Sequence, residues 1–104
     1  MNESEFLNAS DAVFDRIETA LDDGEFDVDL NRNGNVLEIE FDDGAKIVVN
    51  RHAANQELWL AARAGGFHYR FKDGKWLSTR ENGEFFDQLA GLVASHHGDR
   101  RPAF

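Results

Sequence analysis

Residues 26–49 alternate apolar and polar side chains, and this period of two constrains the fold more than any other feature of the sequence. The Asn33-Gly34 pair interrupts the alternation, and Asn-Gly is the preferred pair for a two-residue hairpin turn. The Asp42-Asp43-Gly44 stretch fits a three-residue loop with glycine in the left-handed conformation. The pattern therefore predicts three antiparallel strands whose apolar side chains share one face.

Placing Asn33-Gly34 at the turn predicts the register of the first hairpin. Its apolar pairs are Phe26 with Phe41, Val28 with Ile39 and Leu30 with Leu37, and its acidic pairs are Asp27 with Glu40 and Asp29 with Glu38. The predicted pairs of the second hairpin are Leu37 with Val49, Ile39 with Ile47, Phe41 with Ala45 and Glu40 with Lys46. Because directly opposed like charges destabilise a sheet, the acidic pairs carry an electrostatic cost.

Residues 57–79 supply the rest of the predicted sheet. After a polar loop at 51–56, residues 57–62 form a fourth strand, and a turn at Ala64-Gly65 leads into a fifth. That turn pairs Leu60 with Tyr69 and Leu58 with Phe71 on the inner face, and Trp59 with Arg70 and Ala61 with His68 outside. Asp73-Gly74 is another hairpin signal, which pairs Phe71 with Trp76, places Trp76 in the core and leads into strand 75–79.

Two amphipathic helices flank the strands. The first is predicted over residues 4–22, with Ser4 as the candidate N-cap and Gly24 at its end; its buried residues are Phe6, Ser10, Val13, Phe14, Ile17 and Leu21. The second is predicted over about 84–96, with Phe85, Phe86, Leu89, Leu92, Val93 and His96 buried. The predicted fold is an α+β two-layer sandwich, with both helices on one face of five or six antiparallel strands. It forms a single domain over residues 1–104, with a tail at 97–104.

The net negative charge is confined to the start of the chain. Residues 1–29 contain ten acids and one base, whereas residues 30–104 contain ten of each, so the whole net charge of −9 lies in the first 29 residues. Like charges three or four residues apart on a helix cost roughly 0.2–0.5 kcal/mol per pair. The candidate metal ligands are Asp11, Asp15, Glu18, Asp22, Asp23, Glu25, Asp27 and Asp29. A plain solvated helix face is the alternative interpretation.

Carboxylates without thiolates favour hard cations, and the chain contains no cysteine. An open, mostly monodentate set of ligands predicts weak, exchangeable binding of ferrous and ferric iron and of other divalent or trivalent ions. The acidic charge disfavours nucleic acid and anionic membranes as partners and favours basic protein surfaces. Without a signal peptide or an apolar run of about 18 residues, the chain is expected to be cytoplasmic.

Trp59 is predicted to lie on the open sheet face with Arg70, and these residue types dominate interface energies. Local stacking of the two side chains is the alternative interpretation. The histidines are expected to serve as helix-end or surface residues rather than as metal ligands. Since no serine or threonine has a base and an orienting group in register, no enzyme activity is expected beyond slow oxidation of bound ferrous iron.

The chain resembles the frataxin family, and the similarity covers nearly the whole sequence. The stretches that carry it are Met1-Asn2-Glu3-Ser4-Glu5-Phe6, Leu21-Asp22-Asp23, Asn33-Gly34, Val36-Leu37, Gly44-Ala45-Lys46-Ile47, Asn50-Arg51, Trp59-Leu60-Ala61 and Gly65-Gly66-Phe67-His68. The chain departs from the family pattern at Ala54 and Glu57, where proline and glutamine are usual.

The resemblance implies iron binding and a role in iron–sulfur cluster assembly, as iron donor or sensor and as regulator of the cysteine desulfurase and its scaffold protein. It implies that Glu18, Asp22 and Asp23 contact the desulfurase and that Asn50, Arg51 and Trp59 contact the scaffold. A monomer that oligomerises with iron is consistent with it. The alternatives are an acidic interaction module with incidental metal binding and a ferroxidase or storage protein, which needs a defined di-iron site.

Overall fold

The computed structural model describes residues 1–104 and contains two helices and six strands. In chain order they are α1 (Glu3–Asp23), β1 (Val28–Asn33), β2 (Val36–Phe41), β3 (Lys46–His52), β4 (Glu57–Ala62), β5 (Gly65–Lys72), β6 (Lys75–Ser78) and α2 (Phe85–His96). The strands form one sheet in sequence order, and every neighbouring pair is antiparallel. This arrangement confirms the predicted α+β two-layer sandwich, with six strands in the sheet.

Helix α1 begins at Glu3, one residue earlier than predicted. Asn2, not Ser4, is the N-cap: its side chain accepts a hydrogen bond from the Glu5 backbone N–H at 2.8 Å. The Glu5 carboxylate in turn accepts from the Asn2 backbone N–H at 2.9 Å, which completes a capping box. From Ser4, position N3 is Leu7, which cannot complete such a box; the residues that form it, Asn2 and Glu5, begin two residues upstream.

The face of α1 that meets the sheet is the predicted one, because the same six residues from Phe6 to Leu21 are buried. On α2 the prediction was partly wrong. Phe85, Leu89 and Val93 are buried as expected, but the remaining buried positions are Ala90 and Ala94 rather than Phe86, Leu92 and His96. These residues cover an inner sheet face built from Leu37, Ile39, Ile47, Val49, Leu58, Leu60 and Tyr69. Neither helix is both long and apolar enough to cross a membrane.

The predicted register of β1 against β2 was wrong by two residues. Asn33 pairs with Val36, so the turn residues are Gly34 and Asn35, and Gly34 takes φ of +60° as the first central residue of a type II′ turn does. The observed pairs are Val28 with Phe41, Asp29 with Glu40, Leu30 with Ile39 and Asn31 with Glu38. A shift of two leaves every side chain on its predicted face, so alternation could not distinguish the two registers.

The β4–β5 register was wrong for the same reason. The loop residues are Arg63 and Ala64, which leaves Leu58 opposite Tyr69, Leu60 opposite Phe67, Trp59 opposite His68 and Glu57 opposite Arg70. Phe71 consequently has no partner on β4, and it is 40% exposed. The predicted β2–β3 register and the Phe71–Trp76 pair were correct, and Trp76 is buried in the core.

The chain after α2 folds back over α1. Pro102 is buried, and the Phe104 ring packs against the Phe86 ring with 5.5 Å between centroids. Arg16 on α1 lies 4.2 Å above the Phe86 ring and donates a hydrogen bond to the Phe104 carbonyl. The tail therefore docks on the body of the domain.

Candidate functional site

The C-terminus of α1 turns directly into the acidic stretch. The Phe26 N–H donates to the Leu21 carbonyl and the Glu25 N–H to the Asp22 carbonyl, both at 3.0 Å, which is a Schellman motif. Its left-handed position, usually a glycine, is occupied by Glu25 with φ of +55°. Gly24 is required for a different reason, since a Cβ there would lie 2.7 Å from the Phe26 ring. The turn carries Glu25 despite a backbone cost of roughly 1–2 kcal/mol.

Three of the predicted acids, Asp11, Asp15 and Glu18, form ion pairs with one arginine from the sheet; we call these three the helix acids. Arg32 on β1 lies 3.1 Å from Asp11, 2.7 Å from Asp15 and 2.9 Å from Glu18. The hydrogen bond to Asp15 is the largest cause that raises the Arg32 pKa, although desolvation acts against it. The sequence-based premise that these acids lack compensation was wrong, because their counter-ion lies on another element.

Arg51 is a second internal counter-ion. It points inward from the end of β3, donates to the Asp11 carboxylate, and also bonds the Ser10 hydroxyl at 3.3 Å and the Asn35 side chain at 3.0 Å. Its side chain is only 13% exposed. The role of Arg51 as a partner contact stays a prediction, and in the structure its guanidinium is engaged within the domain.

The remaining predicted acids form no ion pair. We call them, together with Asp42, the edge acids: Asp22, Asp23, Glu25, Asp27, Asp29 and Asp42. The last turn of α1 holds no base. The observed register sets Phe41 opposite Val28, and so Asp42 follows opposite Asp27, whereas the predicted register paired Asp27 with Glu40. Asp42 was not among the predicted ligands, because the sequence pattern assigned it to the hairpin loop at residues 42–44.

The pKa of Asp42 shows that carboxylates at this edge lie close together. Its pKa lies above the usual value, first because of a hydrogen bond with Asp27 and then because of the negative charges of Asp27 and Asp29, with a smaller opposing effect of His97. The neighbouring Asp43 behaves in the opposite way. The Ala45 backbone N–H donates to it at 2.9 Å and lowers its pKa. Asp42 and Asp43 are therefore neighbours in the chain whose pKa values shift in opposite directions.

The geometry of the edge acids is open. No three His, Asp or Glu side chains enclose a common point suitable for a metal ion. His97 lies beside the edge, but its Nε2 accepts a hydrogen bond from the Asp27 backbone N–H at 3.2 Å. The ring of His96 stacks on Phe41 at 4.4 Å. Any ion at this edge would keep most of its water ligands, as expected for carboxylates on a convex surface.

The outer sheet face carries an aromatic stack. The Trp59 ring lies between His52 and His68, nearly parallel to both, with centroid distances of 4.3 and 4.4 Å. Asn50 is directly opposite Trp59 on β3. The predicted Trp59–Arg70 contact was wrong, because the register places His68 there. His52, assigned to a loop from the sequence, is the last residue of β3.

Glu57 orients this stack and was not singled out from the sequence as a site residue. Its carboxylate accepts from the Trp59 indole N–H at 2.9 Å and from Arg70 at 2.9 Å. Burial favours the neutral acid, but these two hydrogen bonds and the Arg70 charge outweigh it and hold the Glu57 pKa below its usual value. The signal available in the sequence was its position, two residues before the outward-facing tryptophan on the same strand face.

Comparison with known proteins identifies close relatives. The frataxin-like domain family model matches residues 1–99. The iron-sulfur cluster assembly protein CyaY of Neisseria meningitidis serogroup B is 48% identical over 99 residues, which are 95% of this chain and 92% of that protein. CyaY of Chromobacterium violaceum is 50% identical over 99 residues, with 95% and 94% covered.

Two solved structures share the fold. The frataxin of Psychromonas ingrahamii superposes with a TM-score of 0.92 and 32% identity over 97% of this chain and 96% of that one. The trimeric frataxin of Saccharomyces cerevisiae, complexed with ferrous iron, superposes with a TM-score of 0.70 and 22% identity, with 88% and 84% covered. The second similarity concerns the fold alone.

Proposed function

Because this chain belongs to the frataxin-like family, we propose that it acts in iron–sulfur cluster assembly in the cytoplasm, as an iron-binding donor or sensor that regulates the cysteine desulfurase and its scaffold. The relatives at 48–50% identity are named as iron-sulfur cluster assembly proteins, which supports the general role. The iron-binding and regulatory parts of the proposal rest on the residues of this chain.

The observation that carries the proposal is the absence of any ion pair at the edge acids. Asp27, Asp29 and Asp42 lie close enough for the first two to raise the pKa of the third. Crowded carboxylates gain from a cation that relieves their repulsion, and oxygen ligands suit ferrous and ferric iron as hard or borderline cations. Because the site is open, binding is weak and the ion exchangeable, which suits a protein that delivers or senses iron.

Two surfaces would meet the assembly machinery. The edge acids present negative charge to a basic groove on the desulfurase, with Asp22 and Asp23 at the exposed end of α1. The outer sheet face would meet the scaffold through Trp59, held rigid by two histidines and Glu57. We propose no catalytic activity of the protein's own, apart from slow oxidation of bound ferrous iron by oxygen.

The experiment compares Asp27→Asn/Asp29→Asn/Asp42→Asn with a control that removes three acids elsewhere, Glu3→Gln/Asp73→Asn/Glu81→Gln, none of which forms an ion pair. Anaerobic titration calorimetry with ferrous iron should show at least about tenfold weaker binding for the edge variant, because each 1.4 kcal/mol of lost attraction is tenfold. The control should stay within about twofold. Unchanged iron affinity in the edge variant would remove the iron-binding proposal.

The second candidate function is an acidic docking module whose metal binding is incidental, and the lack of an enclosed metal centre favours it. The two functions differ in how association with the desulfurase responds to iron. Docking alone predicts an affinity that falls with salt and is indifferent to ferrous iron. An iron-dependent change in affinity, or in the rate of cluster assembly, would support the iron function instead.

A further inference from the structure

Arg32 has an unusual position for a charged residue. It lies on the side of β1 that faces the helices, in the same alternation as Val28 and Leu30, where the pattern calls for an apolar residue. Its guanidinium lies 5.1 Å from the centre of the Phe14 ring and reaches the helix acids at 2.7–3.1 Å. The side chain is 29% exposed, so it fills the space between β1 and α1 rather than extending into solvent.

The two halves of the acidic surface therefore differ in net charge. The three helix acids share Arg32 and Arg51, which leaves a formal charge of −1. The six edge acids share no arginine or lysine. The Arg100 guanidinium, which lies over the Phe26 ring, donates to the Gly24 carbonyl rather than to a carboxylate.

We propose that Arg32 is a tethered counter-ion that occupies the helix acids and confines exchangeable metal ions to the edge acids. The proposal rests on the proposed function and specifies which part of the acidic surface binds the ion. The guanidinium uses the same carboxylate oxygens that a hard cation would need. An entering ion must displace Arg32, which would then lie over Phe14 without its carboxylates.

Tethering makes this competition effective. A group held on the same chain acts at an effective concentration in the millimolar range or higher, and it never diffuses away. Weak, water-rich carboxylate sites bind divalent ions in a comparable concentration range. Arg32 therefore competes at the helix acids with any free ion, whereas no tethered cation protects Asp27, Asp29 or Asp42.

The test maps Mn²⁺ binding by paramagnetic broadening of amide NMR signals. In the wild-type protein, broadening should centre on residues 27–29 and 42 and spare residues 11–18. In Arg32→Gln, new broadening should extend over 11–18, with Mn²⁺ affinity there about tenfold higher, since one unit of positive charge near the ion has been removed. Arg80→Gln is the matched control, because it removes one exposed positive charge far from both acid groups.

Two further variants separate a counter-ion from a simple structural link. Arg32→Lys keeps the charge and should keep residues 11–18 free of broadening. Arg32→Met keeps the apolar stem beside Phe14 and should gain broadening as Arg32→Gln does, which provides a folded charge-free variant if the glutamine variant is unstable. A purely structural role predicts lower stability with an unchanged broadening map.

Two results would overturn the proposal: equal broadening of residues 11–18 and 27–29 in the wild-type protein, or no gain over Arg80→Gln in either charge-free variant. The proposed function fails separately. Absence of broadening at residues 27–29 and 42 in the wild-type protein would count against the edge site, whereas the gain at 11–18 in Arg32→Gln would still show that Arg32 excludes ions.

Discussion

The helix acids and all the edge acids but Asp42 follow one another along the chain and are alike in composition, yet their electrostatic surroundings are opposite. Asp11 contacts both Arg32 and Arg51, and Glu18 contacts Arg32. Asp27 and Asp29 instead raise the pKa of another carboxylate. Acids that a protein pairs internally hold its layers together, and acids that it leaves crowded store repulsion that a ligand can relieve. The density of acids in a sequence does not tell the two cases apart.

The largest expected effect on stability concerns Arg51, which pairs with one of the helix acids. Arg51→Ala should lower the free energy of unfolding by about 2 kcal/mol, because a mostly buried guanidinium loses its bonds to Asp11, Ser10 and Asn35 and its packing on Phe14. The partial exposure of Asp11 keeps the value below that of a fully buried pair. Urea denaturation measures it, with Arg80→Ala as the exposed control. A loss of less than about 0.5 kcal/mol would show that Arg51 does not join the layers.

The next prediction is that two matched triple variants change the free energy of unfolding in opposite directions. Asp11→Asn/Asp15→Asn/Glu18→Gln should lower stability by about 1 kcal/mol, because Arg32 and Arg51 lose their carboxylates. Asp22→Asn/Asp27→Asn/Asp29→Asn should raise it by several tenths of a kcal/mol, because like charges at a helix C-terminus and across strands are removed. Both variants have the same net charge, so urea denaturation in low-salt buffer compares them directly. If both variants changed the free energy of unfolding in the same direction, the helix acids and the edge acids would not differ in their effect on stability.

The next prediction concerns Glu57, which belongs to neither the helix acids nor the edge acids. Its contribution to stability should be lost in acid. Its pKa is lowered in the folded protein, so its contribution is complete above the unfolded value of about 4.3 and is lost as the pH falls through the lower folded value. Glu57→Gln should be less stable at pH 7 by about 1 kcal/mol, since the Arg70 partner is 67% exposed. The difference from wild type should shrink below pH 4. A constant difference from pH 7 to pH 3 would contradict the assignment.

For Asp42, one of the edge acids, we predict the opposite dependence of stability on pH. Its raised pKa means that its contribution to stability is complete below the unfolded value of about 3.9 and is lost as the pH rises through the higher folded value. Asp42→Asn should therefore melt at a higher temperature than wild type at pH 7, and the two should converge on acidification. Asp43→Asn is the neighbouring control and should be less stable at pH 7, because that pKa is lowered. Thermal melts from pH 3 to pH 7 measure both.

Salt should give the smallest effect. Raising the ionic strength from about 0.05 to 0.5 M shortens the screening length severalfold and weakens repulsion among exposed charges. The wild-type melting temperature should rise by a few degrees at most, and the rise should be reduced in the Asp22→Asn/Asp27→Asn/Asp29→Asn variant. An equal rise of the melting temperature in that variant would show that the screened repulsion lies elsewhere in the chain.

Much of the fold follows from periodicity alone. The helical spacing from Phe6 to Leu21 predicted the buried stripe of α1, and alternation predicted which strand residues face inward. Registers were less determined, because pairings that differ by two residues bury the same side chains. At Gly34 either Asn-Gly or Gly-Asn can form the turn, and at Gly65 the loop moved by one residue. The Schellman turn carrying Glu25 in the left-handed position was not predicted, because glycine is usual there.

The sequence by itself determined that a two-layer domain would carry its excess negative charge near the end of α1 and the start of β1, since period and charge are local properties of the chain. Only the tertiary structure decided which of those charges are free. Arg32 and Arg51 reach the helix acids from strands that are distant in sequence, and Asp42 reaches Asp27 through a register that local pattern left open. Electrostatic energy depends on distance in space, and that distance is set when the layers pack.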